Sequence, residues 1–289
     1  MDRHTVIFVT DKRQKHLAEY LGKKIETVSL NQALQSRFAE EVFSTAERVI
    51  YPTPTTKLWK AEPCTRKFNH YLNDKTLVFG GKIDEDLKRA LKKHMCVWYD
   101  LMEDERVAME NAMITAEAVV AKVIENSLYS VCGQKILITG YGRCARQIAI
   151  KLAALGAVIV IVARSREARK DARADGFVAT DFVYAPQETC SANTVINTVP
   201  ACVITERLFR EMQKDVLVID IASAPGGCKL SAAEKYQIPV CVALGLPGIY
   251  TTKSSAKVLG DAIRRKTFSE SGVKEEKSWI FQILVSDTV

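Results

Sequence analysis

The sequence predicts an α/β protein of two parallel-sheet domains joined by one long helix, on three observations. Apolar, β-branched runs alternate with amphipathic helical segments along the chain, as in βα units whose strands are buried on both faces. The alternation restarts near the middle, at Gly133. Between the two arrays, Arg106 to Leu128 contains neither Gly nor Pro and is rich in Ala, Glu, Met and Val, so it reads as a single helix.

In the first array Thr5 to Val9 reads as a strand and Lys15 to Leu21 as a helix. Ile25 to Ser29, Arg48 to Tyr51, Thr76 to Phe79 and Met95 to Tyr99 read as further strands, and Asp84 to Lys93 as an amphipathic helix. Two prolines make Pro52-Thr53-Pro54-Thr55-Thr56 a loop. The second array has strands at Lys135 to Thr139, Val158 to Ala163, Phe177 to Ala179, Thr194 to Asn197, Val216 to Ile221 and Val240 to Leu244. Helices fall between them, and a last helix spans Ser254 to Arg265. The polar stretch Thr267 to Lys277 reads as a linker, and the apolar Trp279 to Val285 as a tail that docks on the first domain. The expected domains are 1–110, a connecting helix over 111–132, a second α/β domain over 133–265 and a tail over 266–289.

Composition narrows the class. The chain has 289 residues, 47% hydrophobic and 26% charged, which excludes disordered and fibrous proteins. No apolar run approaches the ~20 residues needed to span a bilayer. The N-terminus does not read as a signal peptide, so a cytoplasmic location is expected. The eight cysteines form no C-x-x-C pair, so neither a metal nor a disulfide framework is expected, and most should be buried small hydrophobes. The net charge of +7 is spread rather than gathered with aromatics, which argues against nucleic acid as a partner.

The chemistry is carried by Gly140-Tyr141-Gly142-Arg143-Cys144-Ala145, directly after an apolar strand and at the head of an apolar-periodic helix. That context makes G-x-G-x-x-A a dinucleotide-binding fingerprint and the second domain a Rossmann fold. Gly140 permits the turn, Gly142 admits the pyrophosphate, and Ala145 keeps helix and strand close. The helix N-terminus offers unpaired N–H groups to the phosphates. After the next strand comes Ala163-Arg164-Ser165-Arg166 rather than the Asp or Glu that accepts from an NAD ribose, which favours the 2′-phosphate of NADP. Three later strand ends complete the crevice. They supply Thr198, Val199 and Pro200, then Ala222, then Leu246 and Pro247, as further cofactor contacts.

For the substrate the signal is thinner. All four histidines (4, 16, 70 and 94) lie in the first half, which argues against a simple 2-hydroxyacid dehydrogenase with a His in its cleft. At the head of the long helix Asn111, Thr115 and Glu117 can share one flank, and Ser223, Gly226 and Gly227 follow a strand of the second domain. Asn111, Thr115, Glu117 and Ser223 are the catalytic candidates. Asn111, Thr115, Ser223, Gly226 and Gly227 are the substrate-binding candidates.

These segments resemble the A subunits of bacterial dipicolinate synthases. The resemblance runs from about Tyr99 to about Ile263. It rests on Asn111-Ala112-x-x-Thr115-Ala116-Glu117, Gly140-Tyr141-Gly142-Arg143, Ala163-Arg164 and Asn197-Thr198-Val199-Pro200-Ala201. Asp220-Ile221-Ala222-Ser223-x-Pro225-Gly226-Gly227 and Ala243-Leu244-Gly245-Leu246-Pro247-Gly248-Ile249 complete it. The resemblance implies NADP-linked oxidation of dihydrodipicolinate to dipicolinate in a sporulating mother cell. It also implies, for a partner, the flavoprotein-like B subunit of the synthase; a homo-oligomer is expected besides. Ile114, Ala118, Cys228-Lys229 and Thr252-Lys253-Ser254-Ser255 depart from the family pattern, which touches substrate contacts and leaves the nucleotide motif intact. Two rivals stand beside it: another two-domain NAD(P)-dependent dehydrogenase of the shikimate or alanine type, and a non-catalytic nucleotide-binding component of a complex.

Overall fold

The structure, a computed structural model, describes residues 4–22, 25–29, 42, 45–56 and 72–267. The chain divides into two compact units, one of residues up to Ala108 together with the segment from Thr252, the other Met109–Thr251. Both are parallel-sheet α/β domains, as the sequence predicts.

The first unit holds β1 (Thr5–Val9), α1 (Lys12–Leu21), β2 (Ile25–Ser29), β3 (Arg48–Ile50), β4 (Leu77–Gly80), α2 (Glu85–Lys93) and β5 (Val97–Asp100). Its five strands are all parallel, in the order β2-β1-β3-β4-β5. Successive β1 residues bury opposite faces: Val6 and Phe8 join Val49 and Val78 on one side, Ile7 joins Ile50, Leu77 and Phe79 on the other. A sheet covered on both faces explains why its strands read as continuous apolar runs. Helix α2 is held by local chemistry: Asp84 caps Leu87 N, Glu85 and Asp86 occupy the first turn, and Lys92 and Lys93 the last.

The long helix α3 (Glu105–Asn126) starts in the first unit and runs into the second. The second unit continues with β6 (Lys135–Thr139), α4 (Arg143–Ala154), β7 (Val158–Val162), α5 (Arg166–Ala174), β8 (Val178–Thr180), α6 (Ala185–Thr189) and β9 (Thr194–Asn197). It closes with α7 (Glu206–Glu211), β10 (Leu217–Asp220), α8 (Leu230–Tyr236) and β11 (Val240–Val242). Its six parallel strands run β11-β10-β9-β6-β7-β8, the doubly wound order of dinucleotide-binding domains. Ile136, Ile138, Ile161 and Ile196 pack under α3 and α4, while Leu137, Val195 and Val218 pack with Phe209 on the opposite face.

Two expectations are corrected. The last helix, over 252–267, belongs to the first unit and not to the nucleotide domain, because Ala256, Leu259, Ala262 and Ile263 pack with Ile7, Leu17 and Phe79. The expected linker, after its first residue, and the docking tail lie outside the described residues. Among the seven described cysteines only Cys96 is buried, and Cys132, Cys190 and Cys202 are exposed. An apolar neighbour in sequence does not bury a thiol that stands on a loop. Burial pushes the Cys96 thiol up to about 11.

Candidate functional site

The glycine motif opens where the sequence places it, at the carboxyl end of β6. Gly140 has φ +79, a left-handed conformation that favours glycine. Its N–H donates to the Val162 carbonyl at 2.8 Å. A Cβ there would stand 2.9 Å from Val199 Cγ2 and 3.0 Å from Thr198 Oγ1, so the turn also lets the β9 loop come close.

Gly142 differs. It caps α4 with φ −83 and ψ −172, extended backbone open to any residue, and an added Cβ would meet no atom within 4 Å. No side chain caps this helix. No cap bond satisfies the first turn and the space beside Gly142 is open among the described residues, so the backbone donors there suit a pyrophosphate. Arg143 is exposed, Cys144 is half-buried, and the fully buried Ala145 seats the helix on the sheet.

Several predicted side chains are engaged within the chain. The Tyr141 phenol donates to Asp175 Oδ2 at 2.6 Å and its ring meets Phe177 edge-on. Burial, then Asp175, raises its pKa, so the phenol proton is committed within the chain. Ser165 is the N-cap of α5: it accepts from Ala168 N at 3.3 Å and donates to Glu167 at 2.6 Å. The guanidinium groups of Arg164 and Arg166 are exposed and form no ion pair among the described residues. Arg169, absent from the prediction, braces this loop by donating to the carbonyls of Ala163 (2.6 Å) and Arg164 (2.7 Å) and to Asp181 (2.6 Å).

The ends of β6, β9 and β10 are tied by a buried network that sequence reasoning did not assign. Thr139 Oγ1 donates to Asn197 Oδ1 at 2.6 Å, and Asn197 Nδ2 donates to Asp220 Oδ1 at 2.7 Å. Asp220 also accepts Ala222 N at 3.0 Å and Gly227 N at 2.8 Å. Val199 N reaches Asn197 Oδ1 at 3.2 Å, and Thr198 Oγ1 donates to the Thr139 carbonyl at 2.7 Å. The one visible signal was a polar residue ending each apolar strand, as in Thr194-Val195-Ile196-Asn197 and Leu217-Val218-Ile219-Asp220.

This network shapes the remaining candidates. Gly227 is buried, and a Cβ on it would overlap the Asn197 amide, so its lack of a side chain has a packing cause. Ser223 is exposed and its carbonyl accepts Gly226 N at 3.0 Å, forming a turn above Asp220. Ala222 is buried and Pro200 exposed, while Leu246 and Pro247 are buried in a short 3-10 turn over Leu246–Gly248. On α3, Asn111 is half-buried and its carbonyl accepts the Thr115 hydroxyl at 2.7 Å. Glu117 does not share that flank. Two residues turn a helix by about 200°, and its carboxylate pairs with Lys151 of α4 at 3.2 Å. Among the described residues no cluster of three or more His, Cys, Asp or Glu could hold a metal ion.

Fold and site together define the second unit as a nicotinamide dinucleotide-binding domain of the dehydrogenase type. Residues 105–225 match the D-isomer specific 2-hydroxyacid dehydrogenase, NAD binding domain family. The matched segment contains no histidine. The chain is similar to the A subunit of dipicolinate synthase from Bacillus subtilis (strain 168), with 27% identity over 201 residues, 70% of this chain and 67% of that one. The resemblance drawn from the motifs is thereby shown. Crystal structures of two such A subunits share the fold. The Bacillus halodurans protein aligns at TM-score 0.75 and 24% identity over 91% of this chain and 97% of its own. The Bacillus subtilis protein aligns at TM-score 0.75 and 19% identity over 95% and 98%.

Proposed function

We propose that the chain is an NADP-linked dehydrogenase that oxidises dihydrodipicolinate to dipicolinate. One observation carries the reading. In a chain similar to the A subunit of dipicolinate synthase, the carboxyl edge of a doubly wound sheet presents a helix N-terminus without a side-chain cap, opened by a glycine beside which an added Cβ would meet nothing among the described residues. The backbone amides at the head of α4 would hold the pyrophosphate, with Gly140, Thr198, Val199, Pro200, Ala222, Leu246 and Pro247 around the rest of the dinucleotide. Bound there, NADP supplies the hydride acceptor.

The substrate ring becomes aromatic on losing one hydride and one proton, so aromatisation drives the reaction and orientation is the protein's main task. Asn111 and Ser223 are the proposed donors to the substrate, while Gly226 and Gly227, whose N–H groups are given to the Ser223 carbonyl and to Asp220, would shape the turn against it. Thr115 keeps its hydroxyl lone pairs as acceptors, since its proton is given to Asn111 O. Glu117 is committed to Lys151, which favours water as proton acceptor. The Bacillus subtilis relative is one lettered component of its synthase, which supports a B component as partner here. A homo-oligomer and a mother-cell cytoplasmic location complete the proposal. No helix among the described residues is long and apolar enough to cross a membrane.

The test mixes the full chain, NADP and freshly generated dihydrodipicolinate, and follows dipicolinate and NADPH by absorbance. Equal amounts of both products, formed faster than without protein, are expected. Dipicolinate formed only at the uncatalysed rate, with and without the B component, would overturn the reading.

Arg164 and Arg166 are the proposed ligands of the 2′-phosphate, so NADPH should bind more tightly than NADH. Arg164→Asp alone should reverse the order, losing one charge-assisted contact and weakening NADPH about tenfold or more. Adding Ser165→Ala strengthens the design less than the sequence suggests, because it also removes the α5 cap, at about 1 kcal/mol. Equal affinities of the unaltered protein for both cofactors in titration would refute the assignment.

A further inference from the structure

The first unit has a strand-end crevice of its own. With the strand order β2-β1-β3-β4-β5, its topological switch point falls between β1 and β3, where open α/β sheets bind ligands. Two segments that the nucleotide site leaves unused meet there: the turn after β1, Thr10 to Arg13, and the loop after β3, Pro52 to Thr55.

Arg13 bridges them. It lies in the first turn of α1 with its side chain 3% exposed, and its Nη2 donates to the Thr53 carbonyl at 2.9 Å. Its Nε is buried and has no hydrogen-bond partner among the described residues. The nearest carboxylate oxygen, Asp11 Oδ2, stands 3.7 Å from Nη2, too far for a hydrogen bond. The other Asp11 oxygen caps the helix through Arg13 N at 3.0 Å. Burial lowers the guanidinium pKa, and Asp11 opposes that only in second place.

A buried cation with an orphan donor and a counter-charge beyond hydrogen-bond reach is expensive to keep. Charged groups perturbed by burial cluster at sites where ligands bind. A second donor stands beside it. Thr53 is half-buried and its hydroxyl makes no hydrogen bond among the described residues. Gly81, after β4, gives that side chain its room, since a Cβ there would overlap Thr53.

We propose that this switch point binds a carboxylate group of a small organic acid through Arg13, with the Thr53 hydroxyl as second donor. Guanidinium offers a planar fork matched to a carboxylate, and Nε is one of its teeth. Identifying the acid as the pyridine dicarboxylate of the reaction rests on the function proposed above.

Titration of the full chain with dipicolinate, pyridine-2-carboxylate, succinate and inorganic phosphate tests the site. Arg13→Gln and Arg13→Lys should each weaken dipicolinate about tenfold or more, and Thr53→Val severalfold. NADPH affinity should stay within twofold. The unaltered protein gives a second readout that needs no variant: the Arg13 Nε–H resonance should shift on saturation with dipicolinate. Unchanged dipicolinate affinity in both folded Arg13 variants, or an unmoved Nε–H resonance at saturation, would overturn the site while leaving the proposed reaction standing. Binding of succinate but not dipicolinate at Arg13 would uphold the site and sink the proposed substrate. Binding of phosphate alone, or of none of the four, would overturn the carboxylate assignment.

Discussion

Gly142→Val is expected to abolish NADPH binding while leaving the protein folded. The two glycines of the motif serve different ends. Gly140 is needed by the chain itself, through its positive φ and the 2.9 Å approach of Val199. Gly142 has extended backbone and a Cβ there would meet no atom within 4 Å among the described residues, so valine is expected to cost the fold about 1 kcal/mol as a poor N-cap. The added isopropyl group would occupy the space over the α4 amides that a pyrophosphate must enter. Losing two charge-assisted hydrogen bonds at ~1.5–3 kcal/mol each amounts to a hundredfold or greater loss of affinity. Fluorescence titration with NADPH, beside a thermal melt, checks both halves. Undiminished affinity in the folded variant would show that the pyrophosphate does not lie against Gly142.

Asp220→Ala should cost the second unit several kcal/mol. The carboxylate is 3% exposed and accepts from Asn197 Nδ2, Ala222 N and Gly227 N, binding the ends of β9 and β10 and the turn that carries Ser223. Alanine strands three donors at once, each costing ~1–3 kcal/mol when left unmade, with water recovering part where it can enter. About 3–6 kcal/mol is the expected sum. Asp220→Asn keeps an oxygen for two of the donors and turns an N–H toward the third, so about 1–3 kcal/mol is expected. Urea unfolding of the two variants measures the difference directly. A loss below about 1 kcal/mol for Asp220→Ala would mean that the strand ends hold without the carboxylate.

What was legible was what lies within one βα unit. The run Lys135 to Thr139, Gly140, Gly142 and Ala145 share about ten residues, and their backbone conformations follow from local sterics and from an apolar strand meeting a helix. Long-range partnerships were less visible. Glu117 was set on the flank of Asn111 and Thr115 by proximity, yet helix geometry turns it toward Lys151. Tyr141 and Ser165 lie inside the predicted motifs, but their side chains serve Asp175 and the α5 cap.

The sequence by itself determined the α/β class, the two arrays, the long helix between them and the turn where a dinucleotide can be held. These depend on residue periodicity and on glycines whose neighbours in the chain are their neighbours in space. Only the tertiary structure decided that Asn197 meets Asp220 and that Arg13 meets Thr53, 23 and 40 residues apart. It also assigned the helix over 252–267 to the first unit. Such contacts are set by strand order and by which face of a sheet lacks cover. A hydrophobic pattern says that a face must be buried, but not against which segment.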